Sequence, residues 1–349
     1  MSLPPRKIGD ALINPIGFGA MGLSSYYGSV DSDEERFKVS SPLSYADAWL
    51  RVVQILDAAY EKGCRHWDSS NLYGDSELLI GKWFKRTGKR NEIFLTSKFG
   101  ITPTGGRGDP EYVKEQCSKS LERFEVDYID LYYQHRPDRN VPIEHTVTAM
   151  AQLVKEGKVK FLGLSECTAK DIRRAHAVHP ISAIQVEFSP LVLDIEDPKL
   201  AILRTARELG ITVVAYSPLA KGLITGQYTS PDDFEEEDFR KTIPKYSKEN
   251  FPKILNLVDH LKVIASKHNA TPGQVTLAWI LAQGDDFVVI PGTKKIKYLE
   301  ENLGAAKVKL SQEEIAAIRK LSEESNISGE RYGAGAMEFV LQETPELSK

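Results

Sequence analysis

The stretch His66-Trp67-Asp68-Ser69-Ser70-Asn71-Leu72-Tyr73-Gly74 ends a short apolar run in a carboxylate and sets a tyrosine five residues later. Lys98 closes the run Ile93-Phe94-Leu95-Thr96-Ser97, and His135 closes Ile129-Asp130-Leu131-Tyr132-Tyr133-Gln134. A free phenol has a pKa of about 10 and is a poor acid at neutral pH. A lysine ammonium beside it stabilises phenolate and lowers that value. An aspartate keeps the lysine charged and oriented. Tyr73 then becomes a proton donor to an oxygen that gains negative charge. His135 can hydrogen-bond the same oxygen and orient it. A proton donor of this kind suits carbonyl reduction, given a source of hydride. Each residue alone has an ordinary explanation as a cap, a solvated strand end or a core side chain. Their order at three successive strand ends is what argues for a shared site.

Such convergence needs parallel strands that open on one face, as in a (β/α)8 barrel. Strand-like runs lie at 16–19, 65–68, 93–98, 129–134, 159–165, 183–187, 212–216 and 287–291. Helical patterns at 77–86, 110–124, 143–156, 169–177 and 198–209 alternate with them. Another helix precedes 65–68, with Ser44 as its cap, Asp47 three residues on, and Gly63 at its end. Residues 7–18 read as a hairpin turning at Gly9-Asp10. The gap from Tyr216 to Phe287 is too long for one loop and one helix. It holds an acidic stretch and helices near 251–267 and 272–282. No Gly/Ser/Pro linker divides the chain, so 1–349 reads as one barrel domain, with a core of about 6–321 and a tail over 322–349. The tail is polar and glycine-rich; it covers the pocket mouth or is disordered. Gly17-Phe18-Gly19-Ala20-Met21-Gly22 matches G-x-G-x-x-G, but a loop follows where a dinucleotide fingerprint needs a helix.

The net charge of −4, from 45 basic and 49 acidic residues, gives no basic field for nucleic acid. No apolar run approaches membrane-spanning length, and the start of the chain lacks a signal-peptide core. Cys64, Cys117 and Cys167 are odd in number and far apart, which fits reduced thiols and a cytoplasmic setting. Nothing matches H-E-x-x-H, and His176 and His179 stand at a helix end before Pro180, so no metal is expected.

These motifs resemble the aldo-keto reductase superfamily. The resemblance rests on Asp68 to Glu77, Leu95-Thr-Ser-Lys98 and Leu131-Tyr-Tyr-Gln-His135. Gly163-Leu-Ser165-Glu166, Gln185-Val-Glu187, Tyr216-Ser-Pro-Leu-Ala-Lys-Gly222 and Ile290-Pro-Gly-Thr293 extend it. It is nearest to the branch of NADPH-dependent aldehyde and ketone reductases that includes pyridoxal-reductase-like members. The resemblance implies a catalytic tetrad of Asp68, Tyr73, Lys98 and His135, with Tyr73 as general acid. It also implies an NADPH site. Ser165, Glu166 and Gln185 face the nicotinamide, with Glu166 where many members carry asparagine. Tyr216 stacks on the ring. Ser217, Pro218, Leu219, Lys221, Gly222 and Leu223 wrap the pyrophosphate, while Met21, Gly22 and Asp68 also touch the cofactor. Gly292, Thr293 and Lys294 meet the 2′-phosphate, and Glu301 and Asn302 the adenine. Lys294 and Lys295 supply cations for NADPH, although Tyr298 stands where many relatives have arginine. The implied partner is a small carbonyl compound. A regulatory nucleotide-binding subunit of the same fold, or a lyase using Lys98 as a Schiff base, are the competing readings. The motifs leave the substrate open. Phe99, Tyr26 and Tyr27 follow strand ends and are candidates for lining the pocket; 37–50 looks like an extra segment beside it.

Overall fold

A computed structural model describes residues 3–24, 42–333 and 335–347, with the backbone alone for 42–48, 50 and 51. Tyr26, Tyr27 and the first part of the extra segment lie outside the described residues. Eight strands form one parallel sheet: β1 Phe18–Gly19, β2 His66–Asp68, β3 Phe94–Phe99, β4 Ile129–Gln134, β5 Val159–Ser165, β6 Ile181–Glu187, β7 Thr212–Tyr216 and β8 Phe287–Val289. Each pairs with the next in chain order. Parallel bridges Ile16↔Val289 and Gly19↔Gly292 join the first to the last and close the barrel. The strands read as near-continuous apolar runs because both faces are covered. Every residue of β4, for example, is buried.

Alternation along the strands fills two cores. Leu131, Tyr133, Ala183, Val214 and Val288 point into the barrel, where Ile8 and Ile13 join them. These two belong to the hairpin Arg6–Ile8/Ala11–Ile13, which turns at Gly9-Asp10 and plugs the base. Tyr132 and Phe99 point the other way, into the helix layer, and stack at 5.0 Å. Phe99 is therefore core and not pocket wall: the strand runs one residue past Lys98, and the pleat turns its ring outward.

The helices follow the alternating pattern. The first, Pro42–Glu61, begins two residues before the expected cap, so Ser44 lies inside it and Pro42 takes the first helical position. In Pro110–Phe124, Asp109 accepts from the Tyr112 amide at 3.0 Å and Glu125 ends the helix in the left-handed region. The helix expected over 198–209 is shorter, Ile202–Glu208. Phe251–Lys267 and Pro272–Leu281 occupy the long gap before β8, and Ile296–Gly304 and Gln312–Glu324 complete the shell.

The described part of the tail is held to the barrel. Thr344 bonds both oxygens of Asp171 through its amide and hydroxyl, at 2.9 Å each. The Leu341 amide donates to the Glu166 carbonyl at 2.9 Å. Upstream of these anchors, Tyr332, Ala336 and Phe339 lie at the open end of the barrel.

Candidate active site

The C-terminal ends of the strands open into a cavity of about 790 Å³. Asp68 ends β2. The turn behind it is fixed by the Tyr73 amide bonding to the Ser70 carbonyl at 3.1 Å, and by Gly74 at φ +50°. The Asn71 amide ties this turn to the Lys98 carbonyl of β3 at 3.1 Å. Tyr73 thus leans back over the barrel mouth.

Lys98 is fully buried and gives all three ammonium protons to the protein. Its partners are Asp68 Oδ1 at 2.5 Å, the Ser69 carbonyl at 2.7 Å and the Tyr73 hydroxyl at 3.4 Å. Gln185 donates to Asp68 Oδ2 at 2.9 Å, so both carboxylate oxygens are engaged. The His135 ring stands edge-on to Tyr73, with centroids 5.9 Å apart, and its Nδ1 meets Ser70 Oγ at 3.2 Å. Asp68, Tyr73 and His135 line the cavity, and Lys98 sits behind them.

Burial disfavours the Lys98 charge, but Asp68 and Tyr73 more than offset it and hold the ammonium above its usual range. For Tyr73 the balance falls the other way. Burial is the largest influence and raises the phenol; the nearby Lys98 recovers only part. The acidic phenol expected from residue types alone is therefore not the resting state, because the sequence displays the cation but not the desolvation. Burial, then the Arg136 and Lys98 cations, push His135 well below its ordinary value, so its imidazole is neutral.

Around these groups the cavity wall includes Met21, Gly22, Ser165, Gln185, Tyr216, Ser217, Pro218, Leu219, Lys221 and Gly222. Gly292, Thr293, Lys294, Glu301 and Asn302 continue it. Ser217, Ala220, Lys221 and Gly222 all have positive φ, at 47, 49, 54 and 97°. Such a run bends backbone amides into a concavity suited to an anion. Leu223 is buried behind it. Lys295 is exposed and lies over the Tyr298 ring at 5.6 Å; Tyr298 itself lines the cavity, its hydroxyl accepting from Gln227 at 3.1 Å.

Glu166 is not among the lining residues. Its carboxylate takes Arg331 at 2.8 and 3.1 Å, the Tyr216 hydroxyl at 2.8 Å and the Glu187 amide at 3.0 Å. Burial would raise this carboxyl, yet Arg331 brings it down to about 2. Glu166 is also in the left-handed region, φ 52°, a conformation that a non-glycine residue keeps only when its surroundings impose it.

Three groups in or behind the wall have no counterpart in the sequence reading. Arg136 follows His135 directly. Arg331 and Tyr332 come from the tail, and the Tyr332 hydroxyl meets that of Tyr216 at 2.8 Å. A charged residue just past a strand end was a usable signal for Arg136. Nothing local marks Arg331, whose partners are more than a hundred residues away. The tail also supplies Phe339, packed on the small hairpin Ile101–Thr102/Gly105–Gly106. Gly105 has φ +123°, and a Cβ there would meet the Phe339 ring at 2.8 Å.

The model of the Aldo/keto reductase family matches residues 15–323. The chain is 66% identical to aldo-keto reductase str7 of Strobilurus tenacellus, over 99% of each chain. It is 46% identical to aldo-keto reductase yakc [NADP(+)] of Schizosaccharomyces pombe, over all of both. Among solved structures, the glycerol dehydrogenase of Gluconobacter oxydans aligns with a TM-score of 0.78 at 24% identity, over 94% of this chain and 98% of that one. A thermostable aldo-keto reductase solved with the inhibitor epalrestat aligns with a TM-score of 0.67 at 28% identity, over 92% and 99%. With a family model spanning most of its length and relatives alike from end to end, the chain belongs to the aldo/keto reductase family.

Proposed function

We propose that the protein reduces aldehydes or ketones to alcohols with NADPH, and that Tyr73 delivers the proton. One observation carries this reading: the Tyr73 hydroxyl shares the Lys98 ammonium with Asp68, at 3.4 and 2.5 Å. A carbonyl oxygen that hydrogen-bonds Tyr73 also lies beside the neutral His135, which can donate to it and fix its direction. When bound, NADPH supplies the hydride. Tyr73 holds its proton in the resting site, because burial opposes phenolate. As negative charge grows on the substrate oxygen, the proton crosses to it, and Lys98 stabilises the phenolate left behind. Asp68 keeps Lys98 charged throughout.

The lining fits the cofactor. The segment 217–222, with four residues at positive φ, would hold the pyrophosphate, Tyr216 would face the ring, and Lys294 and Thr293 would meet the 2′-phosphate. The NADP(+) in the name of the fission-yeast relative supports the same choice. No helix among the described residues is long and apolar enough to cross a membrane. We place the enzyme in the cytoplasm on this and on its three unpaired thiols.

The test is NADPH oxidation across aldehydes, ketones and pyridoxal, with Tyr73→Phe alongside. The variant should bind NADPH as the wild type does, by fluorescence titration, and lose roughly 10²–10⁴-fold in reduction, the usual weight of a general acid. Comparable turnover in Tyr73→Phe removes the proton donor from the scheme. No turnover by the wild type favours a regulatory nucleotide-binding role instead.

A further inference from the structure

Of the buried cations that line the cavity, Lys221 and Arg240 each hold a buried acid and Arg136 does not; behind the wall, Lys98 and Arg331 are paired as well. Lys98 pairs with Asp68 at 2.5 Å, Lys221 with Glu187 at 2.6 Å, Arg240 with Asp238 at 2.6 Å and Arg331 with Glu166 at 2.8 Å. Arg136 makes no ion pair among the described residues, although it is only 9% exposed and lines the cavity. Its Nη1 is held by the His135 carbonyl at 2.8 Å and by Ser165 Oγ at 3.3 Å. Its other two nitrogens have no hydrogen-bond partner among the described residues. The buried acid that acts most on it, Glu166, has its carboxylate committed to Arg331, Tyr216 and the Glu187 amide.

A buried cation without a counter-ion is costly to the fold. A wall that keeps one, fixed by two hydrogen bonds and turned to a ligand cavity, is arranged for an anion that arrives with the ligand. The pyrophosphate cradle and the 2′-phosphate residues lie elsewhere on the wall. Arg136 instead stands next in sequence to His135, among Tyr73, Tyr216 and Tyr332, where the reacting carbonyl must sit. A planar guanidinium matches a carboxylate, which it can bind through two parallel hydrogen bonds.

We propose that Arg136 is a specificity residue that receives a carboxylate carried by the carbonyl substrate, so that the site prefers oxo acids and formyl acids to their neutral esters. This rests on the reductase reading above. The tyrosine rings beside Arg136 suit an aromatic or aliphatic body between the carboxylate and the carbonyl.

The experiment compares NADPH-dependent rates for phenylglyoxylate and its methyl ester, and for 4-formylbenzoate and its methyl ester. It uses the wild type, Arg136→Met and Arg136→Lys. The quantity read is the acid-to-ester ratio of kcat/KM, which cancels any change common to both substrates. In Arg136→Met the ratio should fall roughly 10- to 100-fold, the weight of one hydrogen bond to a charged group. In Arg136→Lys it should fall less. Calorimetry on the wild-type protein loaded with NADP+ needs no variant: mandelate should bind about 10-fold or more tighter than methyl mandelate. An unchanged ratio in Arg136→Met, or mandelate binding no tighter than its ester, overturns the assignment. So does an equal fall for acid and ester, which would place Arg136 on the developing oxyanion or the cofactor. If neither these compounds nor 4-nitrobenzaldehyde is reduced, the reductase reading fails, and calorimetry still decides Arg136. If neutral aldehydes are reduced without preference for acids, the reductase reading stands and Arg136 loses its role.

Discussion

Replacing Arg331 by methionine should destabilise the protein in a way that depends on pH. Arg331 is 5% exposed and reaches Glu166 at 2.8 Å, Asp194 at 3.0 Å and Glu187 at 3.4 Å. Glu166 titrates at about 2 in the folded chain, against an ordinary value of 4.5. A lowered carboxyl stabilises the fold above its unfolded pKa and loses that contribution as pH falls toward the folded one. The drop from 4.5 to about 2 corresponds to roughly 3 kcal/mol at neutral pH. Removing the guanidinium forfeits this and leaves two buried carboxylates short of a partner, so the loss at pH 7 should be about 3–5 kcal/mol. At about pH 4 the stranded carboxyl can take up a proton, and the loss should shrink by roughly 1 kcal/mol or more. Urea unfolding followed by tryptophan fluorescence at both pH values measures the difference. A loss below about 1 kcal/mol at pH 7, or the same loss at both, would refute the claim that Arg331 holds Glu166 ionised. Limited proteolysis should also cut the variant's tail sooner, since Arg331 is one of its anchors.

Three shorter predictions follow. His135 is neutral in the folded protein, so kcat/KM should show no inflection near about pH 6.5; a break there that disappears in His135→Gln would contradict this. Changing Lys294 and Lys295 together to alanine should raise KM for NADPH more than for NADH, and equal effects would remove the phosphate assignment. Tyr298→Arg puts a guanidinium on the wall beside Lys294 and should tighten NADPH about 10-fold by fluorescence titration; unchanged affinity would mean that this position does not see the 2′-phosphate.

The sequence displayed most of the frame and part of the site. Strands buried on both faces leave unbroken apolar runs, and βα units repeat them, so all eight strands were legible to within a few residues. Where the reading slipped, the cause was local. Ser44 looked like a cap, but Pro42 starts the helix two residues earlier. Phe99 looked like pocket wall because it follows Lys98, and one more residue of strand turned it into the helix layer. The four residues proposed for catalysis come together because three of them stand at or beside the ends of adjacent strands, which a sequence does reveal. The tail's part could not be read this way. Arg331 meets Glu166 and Glu187 only because the chain folds back across the mouth, and no spacing rule links positions so far apart.

Burial and charge act on Tyr73 in opposite senses, and the opposition makes it a serviceable acid. A phenol already ionised at neutral pH would have no proton to give. Burial prevents that by penalising the phenolate while no charge has built up opposite it. Lys98 then matters most at the moment the phenolate forms, because its ammonium is already in place at 3.4 Å and need not reorganise. The same geometry argues against Lys98 as a nucleophile. A Schiff base needs the amine's lone pair, but all three ammonium protons are engaged and Asp68 holds the charge in place. Freeing that lone pair would leave Asp68 buried beside a neutral amine, with only Gln185 to answer its charge. Lys98 is therefore built to stay charged, and its use to the site is the field it casts on the hydroxyl above it.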